Sequence, residues 1–252
     1  MAQTTDFHYS AKDLRHHLQE EHSLSPFSSY LREIVYGGSD GIVTTFAVVA
    51  GFAGAGGGFN TSLPVLTVLL FGLANLFADA TSMALGNFLS IRADQDVYRN
   101  NKRKERHEIR HNPRMEWMET VHILKEKGYS DEDAKALANL YQKNEGYWLD
   151  FMMSQELEMT NAEKENPLVT SLATFFSFIT FGLVPLIPYI FFRELPQLFS
   201  LSILFTFGAL FLLGILRLKV TKVHPLRSIG EIVLLGAVAA AIAYIVGSFF
   251  RI

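Results

Sequence analysis

Charged and apolar residues are segregated along this chain of 252 residues. Three stretches contain no Asp, Glu, Lys or Arg: Pro167–Phe192, Leu195–Leu216 and Ile232–Phe250. Each is long enough to cross a hydrocarbon layer of roughly 30 Å as a helix, which takes about 20 residues. A fourth stretch, Gly41–Ala78, is too long for one crossing. Gly54, Gly56, Gly57, Gly58 and Asn60 interrupt it, with Pro64 just beyond. Such runs punctuate turns, so the stretch predicts two helices, near 33–53 and 63–90. A soluble bundle would alternate charge around each helix with a 3.6-residue period, and these segments do not. The pattern predicts an all-α, polytopic membrane protein with five transmembrane helices.

Between the second and third spans, Arg92–Glu165 is charged, aromatic and free of long apolar runs. It is too orderly to be a disordered linker. Nothing breaks the second helix before Asn112-Pro113, so it should leave the bilayer and continue through 92–110. Further helices are expected over 114–127, stopped by Gly128, and from the cap Ser130-Asp131-Glu132-Asp133 to about 143. A last one is expected over 146–164. The chain thus divides into an N-terminal segment (1–30), helices 1–2 (31–91), a helical metal-binding insert (92–166) and helices 3–5 (167–252).

Loop charge sets the orientation. Arg92, Arg99, Lys102, Arg103, Lys104, Arg106 and Arg110 follow the second span, and Arg217, Lys219, Lys222 and Arg227 follow the fourth. The alternate loops offer no Lys or Arg except Arg193. The N-terminus and the insert are therefore expected in the cytoplasm. Residues 1–28, with His8, His16, His17 and His22, form a polar segment with no signal-peptide pattern. With no targeting extension, a prokaryotic plasma membrane is the expected location. Pro185 and Pro188 should kink the third span.

Composition changes the picture in two ways. Lys+Arg 22 against Asp+Glu 25 gives a net charge of −3, which argues against a nucleic-acid partner. The absence of cysteine excludes disulfides, thiolate metal sites and cysteine nucleophiles. Phosphate-loop, serine-elbow and His-Glu-x-x-His motifs are also missing, so no enzyme of those classes is expected.

Acids at bilayer depth are costly and usually functional. Asp40 lies in the first span among Gly37, Gly38, Ser39 and Gly41, with Thr44 one turn on and Glu33 two turns back. On the second span Asn75, Asp79, Met83 and Asn87 recur every four residues and share a face, which must look into protein or water. Carboxylate plus thioether suits a transition ion such as Fe²⁺ better than Ca²⁺ or Mg²⁺. The insert adds Glu105/Glu108, Glu116/Glu119, and Met152, Met153 and Glu156 on three packable helices. Opposed carboxylates repel unless a cation sits among them. The same residues offer an alternative of another class. Glu108–His111 and Glu119–His122 have the Glu-x-x-His spacing of carboxylate-bridged di-iron bundles, as in a membrane-anchored ferroxidase.

Ser39-Asp40-Gly41 with Phe46-Ala47 and Ala50-Gly51, then Ser82-Met83-Ala84-Leu85-Gly86, resemble the vacuolar iron transporter family. So do Trp148-Leu149-Asp150-Phe151-Met152-Met153 with Glu156, and Gly182-Leu183-Val184-Pro185-Leu186-Ile187-Pro188-Tyr189. The resemblance, to a bacterial-type member, implies a homodimer with the ion path at the subunit interface and a cytoplasmic three-helix metal-binding domain. It implies export of Fe²⁺, and often Mn²⁺, from the cytoplasm in exchange for protons; Co²⁺ and Zn²⁺ are further candidate ions. It assigns Asp40 and Met83 to the membrane path and Glu33 to its entrance. Glu105, Glu108, Glu116, Glu119, Glu156, Met152 and Met153 fall to the insert's metal site. The chain departs from the family's pattern where a plant-type member has glutamate and this sequence has Asn75. Asp79, one turn further along, is expected to take over the displaced carboxylate's role.

Overall fold

The computed structural model describes residues 28, 30–56, 65–193, 195, 197–222 and 224–250. The expected loop between the first two spans and the histidine-bearing N-terminal segment lie almost entirely outside the described residues. Every described element is helical. In chain order these are α1 (Leu31–Ala55), α2 (Val65–His111), α3 (Pro113–Glu126), α4 (Asp131–Tyr141), α5 (Glu145–Gln155), α6 (Pro167–Gly182), α7 (Ile187–Phe191), α8 (Leu198–Thr221) and α9 (Pro225–Ser248). Short 3₁₀ turns occupy Ala162–Lys164 and Val184–Leu186. Five helical segments are long and apolar enough to cross a membrane, and they fall where the uncharged stretches lie. The protein is an integral membrane protein.

The described residues fall into two compact units. One is drawn from Met1–Met83 and Leu172–Ile252, the other from Ala84–Ser171. In the first, α1 buries Gly37, Gly38, Gly41, Ile42, Phe46 and Val49. These positions are small where the backbones meet. A Cβ on Gly41 would collide with the Phe178 carbonyl of α6, and one on Gly37 would lie 2.8 Å from the Thr174 carbonyl. Without a hydrophobic force between helices in lipid, such close packing is a main source of association. Ile42 packs with Leu210, Leu213 and Ile232 of α8 and α9. Phe46 stacks on Phe199, with ring centroids 6.1 Å apart.

The third span breaks where its prolines sit, into α6, the turn Val184–Leu186, and α7. Ser202 of α8 donates a 2.7 Å hydrogen bond to the Pro185 carbonyl, supplying a donor beside a break where prolines offer none. Facing outward, Leu204 and Leu212 of α8 and Leu234, Leu235 and Ile242 of α9 are exposed. In water that surface would drive aggregation; against acyl chains it is the ordinary solvent-facing side.

The second unit opens with the charged half of α2. Its buried positions, Ile91, Gln95, Tyr98, Glu105 and Ile109, follow a four-and-three spacing, with half-buried Lys102 completing the series. Pro113 opens α3 at its first turn, where a missing N–H costs nothing. Gly128, at φ 97, ends the segment, a conformation that glycine alone enters freely. Ser130 caps α4 by accepting from the Asp133 N–H, and Asn144 caps α5 from Tyr147. The core joins Tyr98 and Ile109 to Trp148, Leu149, Met152 and Met153. Gln95 closes the unit by donating to the carbonyls of Ala162 and Glu165 at 3.2 and 2.8 Å.

Three boundaries differ from the pattern-based expectation. The helix expected over 146–164 ends at Gln155. Glu158 then takes a left-handed φ of 51, and the Met159 N–H turns back to the Met153 carbonyl at 3.0 Å. A non-glycine residue in that conformation leaves no compositional mark. α4 stops at Tyr141 rather than near 143. α9 begins at Pro225, well before Ile232, because Glu231 is carried inside the helix on ion pairs with Arg217 and Arg227 at 2.9 and 3.2 Å.

Candidate metal centre

Glu105 occupies a core position in the α2 series, where an apolar residue would be the default, and only 3% of it is exposed. Glu116, on the first turn of α3, is 4% exposed. Glu156 is exposed and sits at the C-cap of α5. Each of the three offers a carboxylate oxygen lying within 4.8 Å of the others. Three elements therefore converge on one point with acids alone. One oxygen each of Glu105 and Glu116 is buried with no hydrogen-bond partner, an arrangement that costs about 1–3 kcal/mol per group when left uncompensated.

The electrostatics follow from this crowding. Burial first, then the neighbouring Glu156 charge and a hydrogen bond with Glu116, push Glu105 up to about 8. Glu156, though its side chain reaches solvent, rises to about 7 through partial desolvation by its neighbours and the charges of Glu119, Glu116 and Glu108. Burial raises Glu116 as well, opposed in part by its hydrogen bond with Glu105. All five sequence-predicted glutamates thus share one field. Several cations of the insert are engaged with other acids: Arg99 and Lys102 with Glu163, Arg110 with Glu145, Lys125 and Lys135 with Asp131. A divalent cation fits such a donor set, because it would satisfy the unpartnered oxygens and the repulsion together.

Met152 and Met153 are buried in the core of the same unit. Thr120 lies 3.3 Å from the Met152 sulfur and receives the Trp148 indole N–H at 2.7 Å. The hydroxyl also lies 2.8 Å from the Glu116 carbonyl, so this threonine links the methionine, the tryptophan and the acid-bearing helix. Sequence alone did not single out Thr120; only its one-turn spacing from Glu116 marks it.

The histidines of the two Glu-x-x-His motifs are elsewhere. His111 is exposed, with Nδ1 2.8 Å from the His107 carbonyl, and His122 is exposed beside Glu126 at 3.6 Å. Among the described residues, the close acidic cluster contains glutamates alone.

In the membrane unit, Asp40 and Asp79 stand on different helices, close enough for their charges to interact. Asn75 donates from Nδ2 to Asp79 Oδ2 at 2.7 Å, so the amide and the acid act as one group on the α2 face. Met83 packs on the Leu76, Ala80 and Phe178 cluster. Thr44 donates to the Asp40 carbonyl at 2.8 Å. Glu33 is buried and pairs with Arg32 at 2.8 Å. Asp40 also lines a cavity of about 900 Å³, shared with Arg32, Tyr36, Arg217, Thr221 and Glu231.

A model of the VIT family matches residues 31–248. Vacuolar iron transporter 2 of Oryza sativa subsp. japonica is 32% identical over 229 residues, covering 90% of this chain and 91% of that protein. Vacuolar iron transporter 1 of Arabidopsis thaliana is 32% identical, covering 92% and 89%. The Vacuolar iron transporter of Toxoplasma gondii is 33% identical, covering 92% and 78%. The match runs through both the membrane helices and the acid-rich insert, and the chain belongs to the VIT family.

Proposed function

We propose that this chain is a transporter that exports Fe²⁺, and also Mn²⁺, from the cytoplasm in exchange for protons. It would work as a homodimer in a prokaryotic plasma membrane, with the N-terminus and insert on the cytoplasmic side. The observation that carries the metal reading is the convergence of Glu105, Glu116 and Glu156 within 4.8 Å. The relatives' names support iron as cargo. The insert gathers the ion on its five glutamates, with Met152 and Met153 as soft donors on the adjoining helix. Glu33 stands at the entrance to the membrane path. Asp40 and Met83, with the Asn75–Asp79 pair, hold the ion within the bilayer. A carboxylate that ligates metal when ionised and releases it when protonated supplies the exchange, since metal and proton compete for the same oxygens.

Anaerobic Fe²⁺ flux into proteoliposomes under an imposed pH gradient, with a pH dye inside, tests the proposal. Metal entry coupled to proton exit is expected, abolished in Asp40→Ala. A variant with Gln at 105, 108, 116 and 119 should retain coupling but need higher Fe²⁺ to reach half-maximal rate. Absence of flux under every gradient, together with oxygen-dependent Fe²⁺ oxidation by the solubilised protein, would overturn it in favour of a ferroxidase.

A further inference from the structure

The last turns of α2 carry a second set of metal-ligating side chains that the carboxylate cluster does not use. His107 and His111 are one helical turn apart and both exposed. Their rings stack with centroids 3.8 Å apart and planes inclined by 26°. His107 follows Glu105 by two residues, about 200° around the helix, so the pair occupies the opposite side of α2 from the buried acid.

His111 is also oriented for ligation. Its Nδ1 lies 2.8 Å from the His107 carbonyl. A carbonyl oxygen can only accept, so Nδ1 carries the proton and the Nε2 lone pair of the neutral ring is left for a metal. Metal-bound histidines are commonly fixed in this way, through a hydrogen bond from the other ring nitrogen to a backbone carbonyl. With metal–nitrogen bonds of about 2.0–2.1 Å, two imidazole nitrogens on one tetrahedral ion lie about 3.4 Å apart. The i, i+4 spacing presents both imidazoles from one helix face, as in helical two-histidine metal sites, and turning the rings out of their stack about the side-chain torsions would bring one nitrogen of each onto a shared ion.

We propose that His107 and His111 form an accessory site for a divalent ion that prefers imidazole, such as Zn²⁺, Ni²⁺ or Cu²⁺. The site is distinct from the close cluster of Glu105, Glu116 and Glu156 and does not rest on the transport reading. Two imidazoles select these borderline ions, whereas an all-carboxylate set suits harder ones. Solvent would complete the shell. Arg103 and Lys104 lie one turn back on the same side of α2, and Arg114 follows shortly after His111. Arg110 is paired with Glu145 at 2.7 Å. These cationic neighbours hold the affinity to a modest level, so the probe is Cu²⁺, the tightest-binding first-row divalent ion.

The experiment is electron paramagnetic resonance of Cu²⁺ added to the full-length, detergent-solubilised protein. His8, His16, His17 and His22 are changed to Gln in every sample to remove background. The expected signal shows two imidazole nitrogens. It should weaken at least tenfold in affinity in His107→Ala and in His111→Ala, and persist when Glu105, Glu116 and Glu156 are all changed to Gln. An unchanged spectrum and affinity in the two histidine variants would overturn the proposal. So would loss of the signal in the glutamate variant alone, which places the copper on the carboxylates.

Discussion

Asp79 and Asn75 show how much a single position can carry. An amide donating to a carboxylate at 2.7 Å ties the two side chains into one unit on the face of α2. It also fixes which oxygen remains for a ligand. Asp79 interacts electrostatically with Asp40 across two helices, so both acids belong to one locale. The expected outcome is that Asp79→Asn impairs Fe²⁺ flux about as severely as Asp40→Asn, measured side by side in proteoliposomes. Near-normal flux in Asp79→Asn would leave Asp40 as the sole acid of that locale. These residues were legible in the sequence because charge inside an apolar helix is conspicuous. Thr45 was not. Its hydroxyl is fully buried with no partner, and a threonine in an apolar run looks no different when paired to a carbonyl.

At the scale of elements, the insert is organised around the meeting of α2, α3 and the end of α5. Legibility was uneven here. The run of α2 through the charged region followed from the absence of any breaker before Pro113. The start of α4 followed from Ser130 and the acids after it. That Glu105 would be a core residue did not follow, since Gln95 and Lys102 on the same face disguise the four-and-three spacing. The consequence is testable by pH. Glu105 titrates at about 8 in the fold against an ordinary 4.5. A raised acid contributes stability that is complete below the ordinary value and lost as pH climbs through the folded one. The metal-free insert should therefore melt at progressively lower temperature between about pH 5 and pH 8.5. A net change of about 1 kcal/mol moves Tm by roughly 4–8 °C in a domain this small. Both tryptophans of the chain, Trp117 and Trp148, lie in the insert, so tryptophan fluorescence of the EDTA-treated whole protein, excited selectively over tyrosine, follows that unit. Glu105→Gln should flatten the dependence. A profile unaffected by that substitution would show that other groups control it.

For the whole molecule, the division of labour is written in its two kinds of surface. The membrane unit exposes Leu, Ile and Phe and buries small residues and hydroxyls. The insert exposes charge and buries a tryptophan-centred core. Segregation along the sequence foretold this division because a bilayer imposes one composition over some twenty residues at a time, and water another. The break after Gly182 was foretold by Pro185 and Pro188. The early end of α5 was not, because Glu158 enters the left-handed region without a glycine to announce it.

The two orphaned oxygens of Glu105 and Glu116 also bear on how long the protein lasts. A fold that buries acids without partners is most easily opened when no cation is present. Binding at a hundred times Kd would suppress opening by about 2.7 kcal/mol, roughly a hundredfold in the open population. Limited proteolysis of the solubilised protein should therefore nick the insert rapidly in EDTA and about a hundredfold more slowly in saturating Mn²⁺. Equal rates in the two conditions would break the link. In a cell, that difference becomes a clock: the insert would be cleared fastest when its cargo is scarce and persist while cargo is abundant, so abundance of the protein would track supply of the ion with no separate sensor.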